Sequence, residues 1–571
     1  MIAGIRAQRN VPTFSDFLYM TKYFLLVCLL SVKLCWSQSP PRVDDFRISE
    51  SLVVHCNTDL LLSGESLTFK IYCLNNTKGG ALSDFSKIAY VELVGENGSS
   101  LVQLKAKLQN GQGDGEYIFD SATPSGNYTL VVYTRWMRNF GIEGFFRKTI
   151  SLINPQALPA IGKSTIHRDQ NSIHNADNLL RVSAEKDQYQ SREKVSLQLT
   201  PVDDGRINYS MNVRMLSESN TGVHFSEENA SEKANSKIQT LPDARGELLT
   251  GVITEKASGK PLTKTLVTLS SPSTRFDFII SRTDSTGRYY FNIPDLGSND
   301  ILIKPLNESA LDYTITMESG FLPDAGQFAP LPLVVDSVQI NALGKRYLSS
   351  QIESVFSETR RDSLRAEKPN WLFLSSHKDY PLDAYTRFPT MDDVFREIIP
   401  EVIVKRADGK YMLNIRNIVT SERFYKTPLL LIDGVPVTTD IVMTYNQALI
   451  RNITVVPVRY FYGGLESEGI VSIETFNGIA ENVSTTDFFQ VNYSAPLPSK
   501  VFQFPNYHGG KDHRRIPDYR TQLYWNPQLI LKGPGKVEFF TGDIIGKYLV
   551  EVVGVKEDGT QIHCQTTFTV N

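Results

Sequence analysis

From about residue 50 onward, the chain is built mostly of short runs in which apolar and polar residues alternate, broken by Gly, Asn, Asp and Pro. That period of two predicts strands with one face turned inward, and many short strands at this spacing predict β-sandwiches. In SGESLTFKIYC (63–73), Gly64 sits in a turn and Leu67, Phe69, Ile71 and Cys73 share a face. KIAYVELVGENGSS (87–100) runs into an Asn97-Gly98 turn, which favours a tight hairpin. GEYIFDSATPSGNYTLVVYTRWMRNFG (115–141) gives two more strands, and DQYQSREKVSLQL (187–199) another. Near the end, KVEFF, KYLVEVVGV and TQIHCQTTFTV continue the alternation around an Asp558-Gly559 turn.

Two stretches break the pattern. Residues 342–361 suit a helix, and a shorter one follows Pro389. There Thr390 is placed to cap, with Asp393 at the third helical position; Met391, Val394, Phe395, Ile398 and Ile399 form one apolar face, and Pro400 ends it. EVIVK and YMLNI flank an Asp408-Gly409 turn and read as a hairpin. LLLID (429–433) opens with an all-apolar strand run, Gly434 turns the chain, and the strands of IRNITVVPVRYFYGG and GIVSIET follow. Helices mixed with strands in this way predict a small α+β unit.

Several of these runs resemble known families. SGNYTLVVYTRWMRNFG resembles the macroglobulin-type β-sandwich of bacterial alpha-2-macroglobulin-like proteins, and Tyr189 with Arg192-Glu193 looks like the start of a second, looser copy. GELLTGVITEKASGKPLTKTLVTLSS with SRTDSTGRYYFNIPDLGS (246–298) resembles the transthyretin-like domain called carboxypeptidase regulatory-like. PLLLIDGVPVTTD (428–440) and YFYGGLESEGIVSIET (460–475) look like the end of a TonB-dependent receptor plug. Leu523, Trp525 and Pro527 before Gly535-Lys536 resemble a central sandwich of macroglobulin-like proteins. The expected fold class is mostly β and multidomain: tandem macroglobulin-type β-sandwiches, a transthyretin-like β-sandwich, a small α+β plug-like domain and a C-terminal β-sandwich. The expected divisions are an export signal over 1–37, sandwiches over 38–155 and 156–245, the transthyretin-like domain over 246–305, a connector with a helix over 306–384, the plug-like domain over 385–478 and the last sandwich over 479–571.

Composition narrows the class. A chain of 571 residues with 41% hydrophobic and 21% charged residues is globular and holds several cores. A formal net charge of −3 disfavours a nucleic-acid partner, which needs a clustered basic face. From Met20, a lysine precedes the apolar run Tyr23–Val32 and the small residues Cys35 and Ser37, as in a secretory signal cleaved after Ser37 with Met20 as the start. A lipoprotein reading would acylate Cys35, but Lys33 stands where small or apolar residues are wanted. No later stretch reaches the roughly 18 apolar residues of a spanning helix. The expectation is an exported protein of the periplasm or outer membrane with no transmembrane span of its own. Cys56, Cys73 and Cys564 remain; they read as buried thiols, with a Cys56–Cys73 bridge as the alternative.

No catalytic, cofactor or metal site is expected. His224 and Glu227 have H-x-x-E spacing in a polar stretch without a third ligand, and His508 and His513 lack carboxylate or thiolate company. Asn110–Glu116 has the glycines and an acid of a calcium loop but no bidentate acid at its end, and suits a glycine-rich hairpin. There is no G-x-S-x-G elbow and no Cys-Gly-Glu-Gln thioester stretch of the macroglobulin kind. What remains is recognition. Trp136, Arg138, Asn139 and Phe140, and Tyr460, Phe461 and Tyr462 before Gly463-Gly464, are residue types enriched at interface centres. The first group equally suits a packing corner of its sandwich. The second must enter its own core or meet another chain.

A barrel around a plug takes about 22 strands, and 96 residues follow Thr475. The plug-like block is therefore expected to stand free or to dock on another chain. These readings imply a non-enzymatic scaffold or binding subunit of an outer-membrane assembly with protein partners in the envelope. The alternative is a component of TonB-linked transport whose plug-like domain engages a separate barrel or a ligand.

Overall fold

Strand pairing joins segments that the alternation alone would keep apart. The computed structural model describes residues 48–164, 179–202, 207–216, 240–293, 296, 300–306, 313–356, 363–364, 377–417, 424–481, 483, 488–507 and 516–571. The expected export signal with Cys35, the His224–Glu227 pair and the His508–His513 pair lie outside these residues. The structure is mostly β, in several sheets.

The first sandwich pairs a sheet of Glu50–Cys56, Ser66–Asn75, Ala81–Leu82 and Gln112–Ile118 with one running Leu60–Leu62, Phe146–Ile153, Gly126–Thr134, Ile88–Val94, Ser100–Lys107. Phe69, Ile71 and Cys73 meet Leu130, Val132 and Phe146 in its core, as their alternation requires. The glycine-rich Asn110–Glu116 stretch is a hairpin: Asn110 and Gly111 turn with positive φ. Asp114 then accepts from Gln528 Nε2 at 2.8 Å, and Glu116 pairs with Lys500 at 2.6 Å.

Residues 156–245 and 479–571 were each expected to close a sandwich. Instead they build one composite sandwich. Lys194–Pro201 lies between Leu180–Ala184 and Gly535–Phe540, while Ile207–Met215 lies between Gln522–Leu531 and Gly546–Val555. Each segment brings four strands, too few to cover both faces of a core. The alternation fixes which face of a strand turns inward but not the strand beside it.

The middle sandwich has Arg288–Ile293, Glu247–Glu255 and Tyr313–Met317 in one sheet. The other holds Asp277–Arg282, Leu266–Ser271, Asp300–Pro305 and, from beyond the α+β module, Phe489–Asn492. It therefore extends past the 246–305 limits expected for it.

The α+β module is a five-stranded sheet ordered Lys378–Pro381, Ile450–Val456, Ile470–Thr475, Leu429–Ile432, Val435–Pro436. The first helix, α1 (Ser337–Phe356), packs outside this module, setting Leu343 against Leu60, Leu62 and Ile153 of the first sandwich. It starts five residues before the expected Ala342, because Asp336 and Gln339 cap reciprocally: Gln339 N donates to Asp336 Oδ1 at 2.8 Å and Asp336 N to Gln339 Oε1 at 3.0 Å. Helix α2 (Met391–Ile398) begins at Thr390, whose Oγ1 accepts from Asp393 N at 3.2 Å, and α3 (Thr439–Thr444) packs nearby.

The LLLID run is now explained. Leu430 and Ile432 face α2 and α3, together with Ile453, Val455, Val471 and Ile473. Leu431, Val456 and Ile470 face the other way, onto Phe276, Phe278 and Ile280 of the middle sandwich. A sheet covered on both faces has no polar side, so its strands read as continuous apolar runs. Both covers come from this chain. The expectation that the block stands free is corrected over those two faces.

The three described cysteines are buried and none is in a disulfide. In the register of the first two long strands Cys73 faces Leu52, four positions from Cys56. At about 3.3 Å per residue that is roughly 13 Å, beyond the ~7 Å limit of a disulfide. The bridge is excluded by geometry.

Candidate functional site

Two groups of residues were singled out for recognition, and the structure treats their members differently. Trp136 is 1% exposed. It meets Phe85 and Phe140 edge-on, with centroids 5.3 and 5.6 Å apart. Asn139 and Thr240 exchange hydrogen bonds of 2.8 and 2.9 Å. Arg138 and Phe140 are half-buried, and Arg138 Nη1 donates to Gly320 O at 3.1 Å. The RWMRNF run is thus a corner in which the first sandwich grips the 240 and 320 segments, and Trp136 is spent inside it.

The hairpin of Tyr460–Tyr462 and Leu465–Ser467 divides its three rings by alternation. Tyr460 and Tyr462 turn toward the middle sandwich, where the Tyr462 hydroxyl donates to Phe278 O at 3.1 Å. Burial pushes the Tyr462 phenol well above its ordinary value. Gly463, with φ +54°, lets the turn approach the other backbone; a Cβ there would lie 2.8 Å from Ile280 O. Gly434, with φ +79°, does the same against Phe276, 2.4 Å from a Cβ. Phe461, between the two tyrosines, points outward and is 69% exposed.

Phe461 has exposed company. Tyr425 is 87% exposed. Its backbone N donates to Glu468 Oε2 at 2.9 Å, and that of Lys426 donates to the same atom at 2.7 Å. Arg459 reaches Glu466 at 3.2 Å and Glu468 at 3.6 Å. Phe461 is in register with Glu466. Two exposed aromatic rings therefore flank an arginine–glutamate cluster at one end of the α+β module. Tyr425 escaped the sequence reading because it follows no periodic segment.

A second feature lies between the first and middle sandwiches. A cleft of about 480 Å³ is lined by residues including Arg135, Arg138, Arg288, Glu318, Tyr290 and Phe321. Arg135 is 5% exposed; its guanidinium donates to Leu248 O and, at 3.1 Å, to Thr250 Oγ1, while its Nε has no hydrogen-bond partner. Glu318 lies 4.0 Å from Arg135, pairs with Arg288 at 2.5 Å and accepts from Thr250 Oγ1 at 2.7 Å. Burial works against the Glu318 charge, but Arg288, Thr250 and Arg135 outweigh it and hold the carboxyl below its usual range. Of this cleft the sequence reading named Arg138 alone. Its walls come from segments more than a hundred residues apart, and no local pattern joins them.

Among the described residues no group of three or more His, Cys, Asp or Glu is placed to hold a metal ion. Nor is any described helix long and apolar enough to cross a membrane.

No family model matches the chain, and no curated protein matches it. Among solved structures it is similar to Salmonella alpha-2-macroglobulin reacted with methylamine, at 10% identity and a TM-score of 0.23, over 91% of this chain and 39% of that one. It is also similar to Escherichia coli alpha-2-macroglobulin activated by porcine elastase, at 11% identity and a TM-score of 0.24, over 91% of this chain and 44% of that one. For the native conformation of the E. coli protein the values are 10% and 0.24, over 92% and 40%. The chain spans about two-fifths of the length of these proteins. Superpositions this loose at such identity fix neither a family nor a function, so the mostly β, multi-sheet architecture rests on the strand pairing above.

Proposed function

We propose that the chain is an exported, non-enzymatic binding or scaffold protein serving an outer-membrane assembly, with the Phe461–Tyr425 end of the α+β module as its contact surface. One observation carries this reading. Phe461 and Tyr425 are 69% and 87% exposed beside Arg459, on a hairpin whose other face is anchored through Tyr460 and Tyr462. Aromatic rings and arginine dominate interface energetics, and a rigid mount lowers the entropy lost on binding. The export signal expected over 1–37 supports an envelope location.

The test is capture from detergent-solubilised envelope by the tagged protein, compared with a Phe461→Ala/Tyr425→Ala variant and a Tyr385→Ala control. The expected result is an envelope protein retained by wild type and control and lost by the double variant. Equal capture by all three, or by none, overturns the assignment of this surface. Retention of a barrel protein in that pattern would make the role one of transport.

A further inference from the structure

The cleft between the first and middle sandwiches has a charge balance that its packing does not explain. Three guanidinium groups, Arg135, Arg138 and Arg288, line it with one carboxylate, Glu318. Glu318 is committed to Arg288 at 2.5 Å and stands 4.0 Å from Arg135. Two further acids stand behind the lining: Asp284, receiving the Tyr290 hydroxyl at 3.4 Å, and buried Asp243, which feels the Arg135 charge and whose own charge burial disfavours. Arg135 is removed from water, with carbonyl and hydroxyl partners for its Nη atoms and none for Nε. A desolvated cation held this way gains strongly from an arriving anion, because both charge-assisted hydrogen bonds and Coulomb attraction strengthen where water is excluded. Arg138 is tied to the Gly320 carbonyl by Nη1, which leaves the rest of its fork able to meet an oxyanion side-on.

We infer that this cleft binds a small organic anion, a carboxylate or phosphate monoester, with Arg135 and Arg138 holding the oxyanion and Phe321 and Tyr290 the organic part. The volume of about 480 Å³ falls within the usual range of small-molecule sites and is far larger than a bare oxyanion fills. The aromatic wall is firm: Phe321 packs edge-on against Tyr90 with centroids 5.3 Å apart. Glu318 tunes the site. It fixes Arg288 and, by partly neutralising the cluster, limits affinity. This site is separate from the Phe461–Tyr425 surface and does not depend on that surface being an interface.

Calorimetric titration of the full chain with phenyl phosphate and with benzoate tests this, using benzamide as the uncharged control. Saturable one-to-one binding of at least one anion is expected, weaker with added salt, and absent for benzamide. Arg138→Gln, at a half-buried position, should weaken binding at least tenfold while lowering the melting midpoint only slightly through its lost bond to Gly320 O, and Glu318→Gln should tighten it severalfold. The tighter of the two probes identifies the oxyanion preferred. No saturable binding of either anion, or an affinity unmoved by both substitutions, overturns the inference.

Discussion

Two of the seams between the modules are made of different materials. Between the α+β module and the middle sandwich the contact is apolar: Phe276, Phe278 and Ile280 on one side, Leu431, Val456 and Ile470 on the other. Between the first and composite sandwiches a buried polar network stands beside an apolar cluster, Val53, Tyr72 and Leu74 against Val553 and Val555. His55 sets Nδ1 2.7 Å from Ser210 Oγ and Nε2 3.3 Å from Glu551, which His563 approaches to 3.2 Å on its other oxygen. The Tyr72 hydroxyl adds a 3.1 Å bond to Val553 O, and Trp525 packs on the His55 ring at 5.2 Å. Apolar contact gives stability without a preferred pH. A buried ionic network gives geometry and specificity, and makes the seam depend on protonation.

The largest expected effect comes from emptying the apolar seam. Phe276→Ala removes a ring that is 2% exposed and should cost about 3–5 kcal/mol, read as a fall in the denaturation midpoint with no change in pH dependence. At the polar seam, Glu551→Gln removes the charge that the two imidazoles surround and should cost about 2–3 kcal/mol at neutral pH. It should also flatten the acid limb of the stability curve.

That limb follows from the signs. Burial pushes the His55 imidazole below its ordinary 6.5. The unfolded chain therefore binds that proton more readily, and stability falls as pH drops below about 6.5. Burial disfavours the Glu551 charge, but hydrogen bonds from His55 and His563 and the charge of Arg214 hold its carboxyl well below 4.5. Its contribution is present above the unfolded value and is lost as pH falls through the folded one. Asp243, between the first and middle sandwiches, acts in the opposite sense. Burial raises it to about 7 from an ordinary 3.8, so its contribution is full below about 4 and disappears as pH rises toward 7. Amide exchange resolved by strand separates the two: acid should loosen Gly546–Val555 before Asp277–Arg282, and Asp243→Asn should remove the decline toward pH 7 while leaving the acid limb intact.

A smaller effect sharpens the apolar side. Gly463→Ala places a Cβ 2.8 Å from Ile280 O at positive φ and should cost roughly 1–3 kcal/mol. A calorimetric melt measures it.

The contrast also shows what the sequence could and could not reveal. The α+β module was legible because its signals are local: Thr390 capping onto Asp393, the Asp408-Gly409 turn, and LLLID, apolar on both faces because both are covered. The polar seam was invisible. His55, Ser210 and Glu551 are brought together from 155 to 496 positions apart, and nothing near any of them announces the others. The composite sandwich was misread for the same reason. For the surfaces, the sequence supplied the right residue types without their direction. Tyr460, Phe461 and Tyr462 form one aromatic run, and the strand's alternation sends its middle ring outward and its outer two inward.

Thiol labelling of variants that each gain one cysteine beside the native ones tests the central claim, that this chain itself seals both faces of the α+β sheet. Leu431→Cys and Phe461→Cys would be treated with a small maleimide under native conditions and read peptide by peptide. Phe461→Cys should label as fast as a free thiol, and Leu431→Cys should stay as protected as native Cys73 until the protein is denatured. Rapid labelling of Leu431→Cys in folded protein would show that face open to solvent and contradict the account.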